Sequence, residues 1–166
     1  MPMYVGSVQT LQTLRASGPQ AFSVGKFADS PSVRPPGSIR ARIWALQPPF
    51  NDSFSGYLKE ALQRELESAG RYRADSSLNI SGVLLDNRLD AGVDVGTAML
   101  SARFNVTKSA TTVYDKTLTA QSRWESSFLG AVAVPAAVRN YVGTFQKLLY
   151  QLFSDPDFQK LTATDP

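Results

Sequence analysis

Apolar residues recur every three to four positions in two stretches of this chain and every second position in five others, and that change of period predicts its elements. The clearest helical stripe is Phe54, Tyr57, Leu58, Ala61, Leu62, Leu66 and Ala69, with Lys59, Glu60, Gln63, Arg64, Glu65 and Glu67 on the other side. Asn51, Asp52 and Ser53 precede it with side-chain oxygens suited to capping a helix N-terminus. Gly70 follows as a left-handed stop, because glycine takes positive φ without a Cβ clash. The second stripe is Val138, Tyr141, Val142, Phe145, Leu148, Leu149 and Leu152. Pro135 suits its first turn, where a missing N–H costs nothing, and Ser154-Asp155-Pro156 stops it.

The period-2 segments are 21–27, 39–46, 78–85, 97–107 and 113–125. In 97–107, Ala98, Leu100, Ala102, Phe104 and Val106 face one way and Met99, Ser101, Arg103, Asn105 and Thr107 the other. In 113–125, Tyr114, Leu118, Ala120, Ser122 and Trp124 oppose Thr117, Thr119, Gln121, Arg123 and Glu125. A hairpin through 109–111 joins these two strands. Residues 28–38, with Pro31, Pro35, Pro36 and Gly37, form an exposed loop, and 86–96, with Gly92 and Gly96, a turn.

Such alternation marks a sheet with one apolar and one polar face. The fold class is therefore α+β: a two-layer sandwich of a mainly antiparallel sheet of about four to five strands, with two long helices, near 53–69 and 134–153, packed on one face. Residues 1–20 form a loosely ordered lead-in, 21–158 a single domain and 159–166 a frayed tail. Leu58, Leu62, Leu66, Phe104, Leu118, Phe145, Leu149 and Leu152 should fill the space between helices and sheet.

Composition narrows the chemistry. The 166 residues are 43% hydrophobic and 19% charged, as in a globular protein of one domain. With Cys 0 and His 0 there are no thiolate nucleophiles, disulfides, Cys/His zinc sites or Ser-His-Asp machinery. A net charge of +3, spread over isolated Lys and Arg, makes no phosphate-binding stripe, so nucleic acid is not an expected partner. Mean hydropathy is −0.16 and no run reaches the roughly 18 to 20 apolar residues of a membrane helix. The opening Met1-Pro2-Met3-Tyr4 lacks the charged and apolar regions of a signal peptide, so the chain is expected to be cytoplasmic or a mature form.

Several motif-like clusters have plainer explanations. Ser23-Val24-Gly25-Lys26 matches S-x-x-K, but that nucleophile pair needs a helix and these residues fall on a strand. Gly18 with Gly25-Lys26 misses a phosphate loop in spacing, and Phe27 stands where a hydroxyl must hold magnesium. Asp86, Asp90 and Asp94 with Asn87 lack calcium-loop geometry and read as turn residues. The sequons at Asn51, Asn79 and Asn105 fall at a helix start and on strands. No catalytic, cofactor-binding or metal residue is assigned, and no cofactor. In the loop 126–134, Phe128, Leu129, Val132 and Val134 stand where polar residues are usual; they either tuck beneath the last helix as a staple or contact a partner or lipid.

The helix Phe54-Ser-Gly-Tyr-Leu-Lys-Glu-Ala-Leu-Gln-Arg-Glu-Leu-Glu-Ser-Ala-Gly70, the strand Thr97-Ala-Met-Leu-Ser-Ala-Arg-Phe-Asn-Val-Thr107, Tyr114-Asp115-Lys116 and a closing helix resemble in layout the YajG-like and LptE-like bacterial lipoproteins, and also auxiliary lipoproteins of ABC-type transport systems. The resemblance spans roughly 39–158. It implies an α+β body tethered to an envelope membrane through a lipidated N-terminal Cys, on the periplasmic side of the outer membrane, whereas this chain has no Cys and no lipobox. The expected function is then a non-enzymatic envelope component acting as a binding, assembly or auxiliary subunit. Its partners would be envelope proteins or an envelope glycolipid or polysaccharide, with a homo-oligomer compatible. The contact residues would be Phe128, Leu129, Arg103, Thr117, Gln121 and Arg123. The alternative is a small hydrolase or ligand-binding enzyme using Asp or Glu chemistry between helices and sheet.

Overall fold

A computed structural model describes residues 1–50 and 52–163. The chain runs α1 (Val8–Ala16), β1 (Ser23–Asp29), β2 (Arg40–Ala41), β3 (Trp44–Ala45), α2 (Phe54–Ser68), β4 (Leu78–Ala91), β5 (Val95–Lys108), β6 (Thr111–Glu125), α3 (Gly130–Ser154) and α4 (Pro156–Thr162). The fold is α+β. β1, β4, β5 and β6 form one four-stranded sheet in that order, and β2 pairs only with β3. β1 lies parallel to β4, with α2 as the crossover that parallel pairing requires, while β4, β5 and β6 form an antiparallel meander. Both long helices pack on the sheet's apolar face.

Local chemistry accounts for the ends of the elements. Ser53 accepts from the Gly56 N–H and caps α2; Asn51 lies outside the described residues. At the other end Gly70 has φ +69, its N–H donates to Glu67 and the Arg71 N–H to Leu66, which closes a Schellman motif. The β5–β6 turn holds Ser109 at φ 48 and Ala110 at φ 71, as a two-residue hairpin requires.

The core contains Leu58, Leu62, Leu66, Phe104, Phe145, Leu149 and Leu152, all fully buried; Leu118 is only partly buried at its margin, near the free edge that β6 presents. The alternation of β5 is realised in full, with Ala98, Leu100, Ala102, Phe104 and Val106 inside.

Five boundaries differ from expectation, each for a physical reason. The third strand does not stop at Leu85: a bulge between Leu84 and Asp86 shifts the phase, so β4 continues to Ala91 and the 86–96 turn shrinks to a few residues. The strand expected over 39–46 is two strands of two residues joined by a turn at Arg42 and Ile43, with Arg42 at φ 58. The last helix begins at Gly130, so Pro135 lies inside it; its N-cap, Leu129, has no side-chain bond to announce a start. The lead-in is ordered: α1 packs on α3, and Tyr4 and Leu14 belong to the core. Residues 159–162 belong to α4, whose Phe158 stacks on Phe22 at 5.1 Å and meets Tyr114 and Phe153 edge-on. Residues 164–166 of the expected tail lie outside the described ones.

Candidate functional site

Because α2 and α3 occupy the apolar face, the opposite face of the sheet carries no described element, and Arg103, Thr117, Gln121 and Arg123 are all exposed there. Arg103 and Thr117 are cross-strand partners; Gln121 stands opposite Met99 and Arg123 opposite Thr97. From Thr117 to Arg123 this row runs about 20 Å along the strand. The Arg103 guanidinium forks onto Asp115, with Nε–Oδ1 at 2.7 Å and Nη2–Oδ2 at 2.5 Å. That fork holds the Asp115 carboxyl below its usual range and raises the guanidinium above its own. Thr119 donates to the Ser101 hydroxyl at 3.0 Å. Between β1, β4 and β5 the face dips into a shallow groove of about 370 Å³ lined by Lys26, Ala28, Ser81, Val83, Arg103 and Asn105.

Phe128 and Leu129 are not tucked beneath the last helix. They are 79% and 61% exposed, and of the four apolar residues singled out in their segment only Val134 packs against the core, beside the buried Ala133. Their backbone is tied instead to the β2–β3 turn: the Arg42 guanidinium donates to the Phe128 carbonyl at 3.0 Å and to the Ser127 carbonyl. This tie sets Ile43 and Trp44, 79% and 63% exposed, beside Phe128 and Leu129, with Val132 one turn on. Sequence reasoning assigned Ile43 and Trp44 to the two faces of a longer strand and so missed them. Their one signal is the Arg-Ile-Trp run, three residues after the 28–38 loop, which has no polar turn residue of its own.

A third feature is a buried carboxyl that the helical wheel had placed on the solvent side. Glu65 is fully buried beneath the N-terminal segment. Its Oε1 accepts from the Tyr4 hydroxyl at 2.6 Å and the Ser7 N–H at 2.8 Å, while Oε2 has no hydrogen-bond partner among the described residues. Burial raises its pKa, against the lowering effect of these two bonds, and burial next to Glu65 pushes the Tyr4 hydroxyl far up. The same segment is held by Tyr57 donating to the Pro2 carbonyl, Arg64 to Tyr4 and Gln146 to Val5. These bonds fasten residues 2–7, and they give the carboxyl a structural task.

The remaining sequence candidates are dispersed or occupied. Ser23 is buried, donates towards the Ser76 and Leu78 carbonyls and accepts from Asn79, while Lys26 is exposed. Asp86 pairs with Arg88, and among the described residues no group of three or more Asp or Glu converges as a metal site. The Asn87 amide is engaged by the Arg34 backbone.

No family model and no curated protein matches the sequence. Solved structures do share the fold. A Xanthomonas campestris protein of the DUF330 family is 18% identical with a TM-score of 0.58, over 88% of this chain and 90% of that one. A candidate lipoprotein of Caulobacter crescentus is 11% identical with a TM-score of 0.53, over 96% of this chain and 99% of that one. The architecture is thus one found in bacterial proteins of these two kinds, and at such identities the likeness is one of fold. Among the described residues no helix is long and apolar enough to cross a membrane.

Proposed function

We propose that this chain is a non-enzymatic component of a bacterial cell envelope, of the lipoprotein kind, that works by binding as an assembly or auxiliary subunit. The observation that carries this reading is the uncovered outer face of the four-stranded sheet, where Arg103, Thr117, Gln121 and Arg123 stand in the open. A flat row of guanidinium, hydroxyl and amide groups suits a polar partner, either an envelope protein or an envelope glycolipid or polysaccharide. The likeness in fold to the Caulobacter candidate lipoprotein supports an envelope location. The carboxylates favour binding over catalysis. Asp75, Asp86, Asp115, Asp155 and Asp157 are paired with Arg or Lys, and Glu65 is spent on the N-terminal segment.

The test is fractionation of cells producing the natural full-length gene product, with a photo-crosslinking side chain at the exposed Thr119. Recovery with the envelope membranes, and an adduct to an envelope component that is lost when Gln121 and Arg123 are changed to Glu, is the expected result. Recovery in the cytosol, or no adduct from the sheet face, overturns the proposal.

A further inference from the structure

Of the eleven large hydrophobic side chains exposed among the described residues, five, Ile43, Trp44, Phe128, Leu129 and Val132, lie on the β2–β3 turn and the start of α3, which the Arg42 guanidinium ties together. Scattered singly they would need no account; gathered on two adjoining tips they do. The gathering is built in, because the Arg42 guanidinium bonds two carbonyls of the neighbouring loop while its own backbone sits at φ 58, a conformation unfavourable for a residue with a Cβ.

The surroundings say what kind of surface these tips fit. Arg40 is exposed on the same hairpin, and the Arg42 guanidinium bonds carbonyls and no carboxylate among the described residues, so its positive charge is retained. Arg139 lies two turns behind Val132 on the same exposed stripe of α3, about 10 Å along its axis. Aromatic and aliphatic side chains in front with arginines set back from them is the arrangement that lets rings enter the acyl boundary while guanidinium groups remain among anionic headgroups. Asp94 and Glu125, both exposed where the sheet ends beside this loop, mark the limit of the patch, since carboxylates are repelled by such a surface.

We propose that Ile43, Trp44, Phe128, Leu129 and Val132 form a membrane-contact tip that inserts shallowly into an anionic lipid surface, with Arg40, Arg42 and Arg139 facing the headgroups. This goes beyond the binding role of the sheet face and is independent of any covalent lipid.

The experiment is flotation of the purified chain with vesicles of phosphatidylethanolamine and phosphatidylglycerol, against vesicles of phosphatidylcholine alone, with tryptophan emission recorded in parallel. The chain should float with the anionic vesicles, and its emission should shift to the blue and be quenched by brominated acyl chains. The combined Trp44→Ser and Phe128→Ser variant should partition roughly tenfold less or weaker still, with an unchanged melting temperature because both side chains are exposed. The Arg40→Gln and Arg139→Gln pair should lose the preference for anionic vesicles and most of the salt sensitivity. Absence of flotation, or equal flotation of the serine variant, overturns the proposal. So does a concentration-dependent dimer abolished by Trp44→Ser without vesicle binding, which assigns the tip to a second copy of the chain.

Discussion

Replacing Glu65 tests whether a carboxyl can be held inside this fold for the sake of two donors. In Glu65→Ala the buried Tyr4 hydroxyl and the partly buried Ser7 N–H lose their shared acceptor, and a fully buried orphan costs about 1 to 3 kcal/mol, a partly buried one less. The expected loss is therefore about 2 to 4 kcal/mol, with the Ser7 N–H contributing at the low end, some of it released as local opening of residues 2–7. Glu65→Gln keeps an oxygen for both donors and removes the charge, so at neutral pH it should stay within about 1 kcal/mol of the parent. The sign with pH follows from the raised pKa. The native state holds the proton more tightly than the unfolded state, so this stability is complete below the ordinary value of 4.5 and is lost as pH rises through the folded value. Urea unfolding of the three proteins across this range should show a decline in the parent that Glu65→Gln lacks. If the glutamine variant falls as far as the alanine variant, and its pH profile parallels that of the parent, the carboxyl is ionised and satisfied and the reasoning fails.

Two further outcomes follow from the far end of the chain. Phe158→Ala removes the ring that stacks on Phe22 and touches Tyr114 and Phe153, and should cost about 3 to 5 kcal/mol in chemical denaturation; a change within error would mean that α4 is not docked. Lys116 bonds Asp155 at 2.9 Å and Asp157 at 2.7 Å, and with Lys160 it holds the Asp157 carboxyl down at about 2. That stability is present above the ordinary 3.8 and disappears as pH falls through about 2, so Lys116→Gln should lower the melting temperature at neutral pH and flatten the acid limb, and an unchanged acid limb would contradict the pairing.

What could be read from the sequence was whatever is written in periodicity and short-range chemistry. The stripe of α2, its Ser53 cap and Gly70 stop, and the alternation of β5 and β6 needed no knowledge of partners. Where a distant contact decides, pattern was silent. The bulge at Leu84 hid the second half of β4, because it moves the hydrophobic set by one position. Glu65 looked solvated on a helical wheel because its cover, Tyr4 and Ser7, comes from about sixty residues away. The outer-face set of Arg103, Thr117, Gln121 and Arg123 was legible from alternation alone. By contrast Ile43 and Trp44 join Phe128 and Leu129 only through a guanidinium reaching across 85 and 86 positions of sequence.

The contact between the two ends of the described chain sets an order of events during synthesis. Gly18 and Gln20 donate to Thr162, its hydroxyl and its carbonyl, across 144 positions in the first case, and the ring of Phe22 waits for Phe158. A Cβ at Gly18 would fall 2.0 Å from the Thr162 carbonyl oxygen, so the fit is close enough to require backbone against backbone. During synthesis α1 and β1 emerge before α2, β4 and α3, against which they pack, and Gly18, Gln20 and Phe22 cannot reach Thr162 and Phe158 until α4 has left the exit tunnel. The helix α2 and the β4–β5–β6 meander, whose contacts are more local, can form in the meantime. Until then the Phe22 ring lacks the Phe158 ring that stacks on it, and a chaperone that recognises apolar segments would find it uncovered in the nascent chain before the fold closes over it.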